Sequence, residues 1–138
     1  MSEPATILIV DDDPDFRESL GSFLEARGHR VVGASNSDEG IELAHAFRPD
    51  AIVMDVMMGE RTEGFFAIQE LRRTPGLTEI PVFAVSAIYS AAGDFDIPPD
   101  PGWLAHDEFF RKPVDFDELL RRIEDRVAGR RAEEARPS

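Results

Sequence analysis

The chain has 138 residues, 42% of them hydrophobic and 31% charged, the make-up of an ordinary globular protein with length enough for one core. It contains no cysteine, which excludes disulfides, thiolate metal sites and a cysteine nucleophile. Its formal charge of −13 argues against nucleic acid as a direct partner, because phosphate binding needs a basic footprint.

The opening Met1-Ser2-Glu3-Pro4-Ala5-Thr6 lacks the basic start and apolar stretch of a signal peptide, and the apolar runs are too short to span a bilayer. The expected location is cytoplasmic, without membrane contact. A strand at about 6–11 leads into a helix at about 14–27 with Phe16, Leu20, Phe23 and Leu24 on one face. Asp13 suits the N-cap of that helix, Pro14 its first turn, and Gly28 its end. A short strand is expected over Arg30–Ala34. Ser37-Asp38-Glu39 then opens a helix that turns Ile41, Ala44 and either Phe47 or Leu43 inward and stops before Pro49. Next come a buried strand over Ala51–Asp55, a loop at about 56–63, and a helix at about 64–73 stopped by Thr74-Pro75-Gly76. Pro81–Val85 reads as another buried strand ending at Ser86, and Glu108–Arg111 as a short last one. The segment 88–106, with Pro98, Pro99 and Pro101, is expected not to form a regular helix, since interior prolines remove donors and clash. Val114–Val127 is the clearest helix, with Phe116, Leu119, Leu120, Ile123 and Val127 on one face and Asp115 with Glu118 as a capping box. The division expected is a domain over 1–128 and a polar, frayed tail or linker start over 129–138.

Five strands alternating with helices imply an α/β fold with a doubly wound parallel sheet and right-handed crossovers, and order 2-1-3-4-5, the flavodoxin-like arrangement, is the natural candidate. In such sheets ligands bind beyond the carboxyl ends of the strands, at the switch point between strands 1 and 3. There two apolar runs stop at acids: Ile7-Leu8-Ile9-Val10 at Asp11-Asp12-Asp13, and Ala51-Ile52-Val53-Met54 at Asp55. Carboxylates gathered in one crevice repel each other unless a hard cation joins them, and an all-oxygen set is what Mg²⁺ prefers. The same edge receives Ser86 and Lys112-Pro113. Each has a task around a phosphoryl group. Asp55 can attack phosphorus and form an acyl phosphate. Mg²⁺ held by Asp12 and Asp55 would neutralise the charge that repels an incoming phosphoryl group. The Ser86 hydroxyl and the Lys112 ammonium can each bond a phosphoryl oxygen. Lys112 is the chain's only lysine. Asp13 is better read as the helix cap. Met54, Met57 and Met58 suit packing. His29, His45 and His106 have no ligand spacing and are expected in solvent or packing. Trp103 is a candidate partner contact. The arginines from Arg121 to Arg131 are interleaved with acids, as on a solvated helix face.

The chain resembles a receiver domain of the response regulators of bacterial two-component systems, in its single-domain, chemotaxis-regulator-like form. The matching stretches are Ile7–Asp13, Ile52–Met58, Ile80–Ala87 and Phe110–Pro113, in order and spread over nearly the whole chain. The resemblance implies that Asp55 accepts a phosphoryl group from a histidine kinase or a histidine phosphotransfer protein. It implies that Asp12 and Asp55 bind Mg²⁺ with the Met57 carbonyl, and that Asp11 acts mostly through a bound water. Ser86 and Phe109 match the family's switch pair. The implied role is a signalling switch acting through contacts with an output protein, not an enzyme. Departures are Gly59 in place of the family's usual proline, a longer loop from Asp55 to Gly64, Phe109 where tyrosine is commoner, and a long stretch from Ser86 to Lys112 where the family's fourth helix lies. Two alternatives remain at this level. One is a degenerate receiver that binds a partner without phosphorylation. The other is a haloacid-dehalogenase-type phosphatase using Asp11-Asp12-Asp13, Ser86 and Lys112, which leaves Asp55 without a role.

Overall fold

The computed structural model describes residues 4–55, 63–86 and 108–135. They form, in chain order, β1 (Thr6–Val10), α1 (Pro14–Glu25), β2 (Arg30–Ala34), α2 (Ser37–Phe47), β3 (Ala51–Asp55), α3 (Glu63–Arg73), β4 (Val82–Ser86), β5 (Glu108–Arg111) and α4 (Phe116–Ala135). The sheet is five-stranded with order β2-β1-β3-β4-β5, and every pairing is parallel. The expected irregular segment 88–106 lies outside the described residues, as do Met57, Met58 and Trp103.

The central strands are apolar throughout because both faces of the sheet are covered. Side chains alternate between faces along each strand. Leu8, Val10, Ile52, Met54, Val82 and Ala84 go to one face, where Ala44 of α2 and Ile68 and Leu71 of α3 close over them. Ile7, Ile9, Val53, Phe83 and Val85 go to the other, against Leu20 and Leu24 of α1 and Leu119, Ile123 and Val127 of α4. The ambiguity in α2 resolves toward Leu43: it packs against the first of these clusters, whereas Phe47, at the helix end, is 55% exposed.

Local caps set the helix starts. Asp13 caps α1, its side chain accepting from the Asp15 amide, with Pro14 in the first turn. Asn36 caps α2 by accepting from the Glu39 amide at 2.8 Å, one residue before the expected opening. Asp115 accepts from the amides of Asp117 and Glu118, while the Glu118 carboxylate lies toward Arg121 and Arg122.

The last helix departs from expectation. It starts at Phe116 and continues to Ala135, through residues read from sequence as a frayed tail. No apolar stripe extends past Val127, but a polar strap does. Arg131 donates to the Pro4 carbonyl at 3.1 Å and lies 3.4 Å from the Asp50 carboxylate, which itself accepts from the Thr6 amide. The added turns thus dock on the amino ends of β1 and β3.

Gly40, buried in α2, allows this helix to approach β1. A Cβ there would lie 2.7 Å from Val10 Cγ2 and 3.1 Å from Cγ1. Val10 is fully buried and β-branched, so it has little freedom to yield. Gly40→Ala is therefore expected to lower stability by about 1–2 kcal/mol in urea unfolding, despite alanine's better helix propensity. In a Val10→Ala background the same change should be neutral or stabilising. Equal penalties in both backgrounds would show that the Gly40–Val10 contact is not the cause.

Candidate phosphoryl and metal site

The parallel register assembles the site. Val10 pairs with Met54, so Asp11 and Asp55 leave the sheet side by side. Asp55 pairs with Val85 and Ser86 with Arg111, which brings the end of β4 and the Lys112 that follows β5 to the same edge. Four of the predicted residues are seen together with their side chains: Asp11, Asp12, Asp55 and Lys112. Ser86 is placed as the last residue of β4. Met57 lies outside the described residues.

Asp11 is 0% and Asp55 4% exposed, whereas Asp12 is exposed. Burying two carboxylates is costly unless they are paired. Lys112 meets that need. Its ammonium donates to Asp11 Oδ2 at 2.8 Å and lies 3.6 Å from Asp55 Oδ2. Asp11 Oδ1 accepts from the Asp13 amide at 2.9 Å. The Asp11 carbonyl takes a hydrogen bond from Arg17 Nη1 at 2.6 Å. Burial pulls the Lys112 pKa down. The hydrogen bond to Asp11 and the attraction of Asp55, Asp11 and Asp13 outweigh it and hold the ammonium above the ordinary 10.5.

Asp11, Asp12 and Asp55 each offer one carboxylate oxygen, and these lie within 4.8 Å of one another. The donors are all oxygen and all anionic, and two come from buried residues. That chemistry suits a hard divalent cation.

Phe109 is half-buried in β5, opposite Ala84, and packs on the α2–α3 side of the sheet; Phe110 faces the other side. His29 is the described residue that sequence reasoning most undervalued. It is buried, its Nδ1 accepts from the Ala5 amide at 3.0 Å, and its Nε2 lies 2.9 Å from Glu124 Oε2. The Nδ1 contact requires that nitrogen to be unprotonated, so Nε2 carries the hydrogen and donates to Glu124. Its signal in the sequence was only its place between Gly28 and the polar start of β2.

Residues 7–124 match the family model described as the response regulator receiver domain. The chain is 34% identical over 128 residues to the protein PilH of Pseudomonas aeruginosa, covering 91% of this chain and 99% of PilH. It is 36% identical over 120 residues to the response regulator MprA of Mycolicibacterium vanbaalenii, covering 87% of this chain but only 49% of MprA. Among solved structures, a response regulator from Chloroflexus aurantiacus aligns with a TM-score of 0.74 at 28% identity, over 91% of this chain and 99% of that one. The receiver domain of a sensor histidine kinase from Pseudomonas aeruginosa, with a magnesium ion coordinated in its active-site cleft, aligns with a TM-score of 0.73 at 25% identity, over 91% and 99%.

The Lys112 pKa gives a signed prediction. A group whose folded pKa is raised contributes stability that is complete below its unfolded value and is lost as pH climbs through the folded value. The Lys112 contribution should therefore be constant below about pH 10 and vanish only at higher alkaline pH. Without divalent metal, Lys112→Met should cost roughly 1–3 kcal/mol at pH 7, because it removes the ammonium that pairs with two buried carboxylates. The gap between wild type and variant should close only at alkaline pH, as pH climbs through the raised Lys112 pKa. Urea midpoints at neutral and alkaline pH measure this. A variant as stable as wild type at pH 7 would refute the pairing.

Proposed function

We propose that this chain, which belongs to the response regulator receiver domain family, takes its phosphoryl group on Asp55. As a receiver domain it is a phospho-accepting switch of two-component signalling. The observation that carries the residue assignment is the Lys112 ammonium 3.6 Å from the buried Asp55 carboxylate, at the strand edge shared with Asp11 and Asp12. In this reading the Asp55 carboxylate attacks phosphorus. An O–P bond forms as the P–N bond of a donor phosphohistidine breaks, and the electron pair leaves with the imidazole. Lys112 and the Ser86 hydroxyl supply bonds to phosphoryl oxygens. Asp12 and Asp55, with the Met57 carbonyl, would hold Mg²⁺, and Asp11 would act mostly through a bound water. Mg²⁺, when bound, supplies the positive charge that lets one anion approach another.

The donor in this reading is a histidine kinase or a histidine phosphotransfer protein, met in the cytoplasm. The output is a protein contact, with Ser86 and Phe109 as the pair that rearranges. The receiver unit is taken as residues 1–128. The chain spans nearly all of PilH but about half of MprA. No helix among the described residues is long and apolar enough to cross a membrane.

The phosphatase alternative needs Asp11 as nucleophile. Both Asp11 oxygens are committed, one to the Asp13 amide and one to Lys112, and α4 stands where a further acidic pair would be required. The deciding experiment is incubation with Mg²⁺ and acetyl phosphate, followed by mass spectrometry of any base-labile phosphate. The label is expected on Asp55, and Asp55→Asn should abolish uptake while keeping the fold. A label on Asp11 would favour the phosphatase, and no label a degenerate receiver that binds partners without phosphorylation.

Metal binding has its own readout. A ligand bound by the native state alone stabilises it by RT ln(1 + [L]/Kd), about 2.7 kcal/mol at a hundredfold excess over Kd. Mg²⁺ should therefore raise the melting temperature of wild type. Asp12→Ala should lose most of that rise. An undiminished Mg²⁺ effect in Asp12→Ala would place the metal elsewhere.

A further inference from the structure

Lys112 has a third neighbour besides its two carboxylates. Its ammonium lies 4.3 Å from the centroid of the Phe16 ring, within the range of a cation–π contact. The ring is itself supported. Phe16 meets Phe116 edge-to-face, with centroids 6.0 Å apart and planes at 77°. Phe116 meets Phe23 at 5.5 Å and 61°, and the Arg27 guanidinium sits 3.7 Å over the far ring. A row of three phenylalanines between α1 and the start of α4 thus ends in a cation on each side, and one of these cations belongs to the site.

We propose that Phe16 is a positioning residue for phosphoryl transfer: its ring face holds the Lys112 ammonium at the crevice between Asp11 and Asp55. The inference rests on the reading of Asp55 as phospho-acceptor. The physical case comes from comparing the three partners. A lysine side chain is a flexible stem carrying a point charge, and its ammonium goes where partners hold it. Two of the partners here are anions that the working site also offers to a divalent cation and a phosphoryl group. The Phe16 ring carries no net charge for either to claim, so its hold on the ammonium persists when those carboxylates are engaged. The ring's negative face attracts a cation, and an aliphatic side chain of similar bulk lacks that face. Packing against Phe116 fixes the ring from behind, in the geometry that aromatic pairs prefer.

Because Lys112 is the chain's only lysine, ¹³C-lysine labelling yields one set of side-chain signals for the whole protein. In wild type the Lys112 Hε protons should be shifted upfield by the Phe16 ring current, both without metal and with Mg²⁺. Phe16→Leu should abolish that shift, and Phe16→Tyr, which keeps the ring, should retain it. The rate of Asp55 labelling by acetyl phosphate at saturating Mg²⁺ should fall about threefold to tenfold in Phe16→Leu, the span expected for loss of one partly shielded cation–π contact. Phe16→Tyr should restore most of it. Mg²⁺ affinity and melting temperature, followed in the same samples, separate positioning from general damage. A purely structural role would lower the melting temperature and leave both the tyrosine rescue and the lysine shift unexplained. Unshifted Lys112 signals in wild type, or a Phe16→Leu rate equal to wild type, overturn the proposal. A label on a residue other than Asp55 overturns the functional reading instead, and the ring-current comparison then decides by itself whether Phe16 holds the ammonium.

Discussion

Two buried carboxylates side by side are an electrostatic problem, and much of this molecule is arranged around its solution. Asp11 and Asp55 leave adjacent parallel strands at the same edge and are both almost inaccessible to water. Two like charges so placed repel each other, the more so where water does not screen them. Lys112 reaches both, and it can do so because β5 lies beyond β4 in register, so that the residue after Arg111 arrives at the same edge. Among the described residues one ammonium lies against two buried carboxylates, and Asp12 adds a third carboxylate close by. On the proposed reading, a divalent ion or a phosphoryl group on Asp55 would alter this balance of charge directly.

The sheet has to be rigid for this balance to hold. Its rigidity follows from close packing on both faces, at densities that leave core side chains little room to shift. Val10 and Gly40 show how tight the fit is directly beneath the acids: the helix can sit against β1 only because position 40 has no Cβ. Asp11 follows Val10 in the chain. A displacement of Val10 is thus transmitted to the carboxylate by a single peptide unit, and core packing and site geometry cannot be adjusted separately.

What could be read from the sequence, and what could not, divides along a physical line. Strands buried on both faces are continuous apolar runs, so β1, β3 and β4, with the acids that follow β1 and end β3, stood out, and with them the sheet order. The Asp13 cap and Pro14 start of α1 are chemistry local to a few residues and were equally visible. What the sequence did not show are polar contacts between distant residues, which leave no periodicity. His29 bonds Ala5 and Glu124, and the latter is 95 positions away. Arg131 reaches Pro4 across 127 positions, and this is why residues that look like a solvated tail continue as helix. Arg122, exposed as expected, also pairs with Glu108 of β5 at 2.7 Å. Phe16 is core, as its spacing from Leu20, Phe23 and Leu24 marks it, but spacing says nothing about what the rest of its ring faces.

These polar contacts of α4 bear on the site itself. Lys112 stands in the short link between the end of β5 and the start of α4, so its position depends on how firmly both neighbours are held. β5 is fixed by pairing with β4 and by Glu108, whose carboxylate meets Arg122 and Arg126 of α4. Helix α4 is fixed along its length: by Phe116 against α1 near its start, by Glu124 on His29 midway, and by Arg131 on the Pro4 carbonyl and Asp50 towards its end. Its apolar face alone would leave the helix free to slide or rotate by small amounts, because the hydrophobic effect is not directional. Hydrogen bonds and ion pairs with fixed partners remove that freedom. On this argument the arginines and acids of α4, most of them remote from Asp55, take part in locating the one ammonium that compensates it.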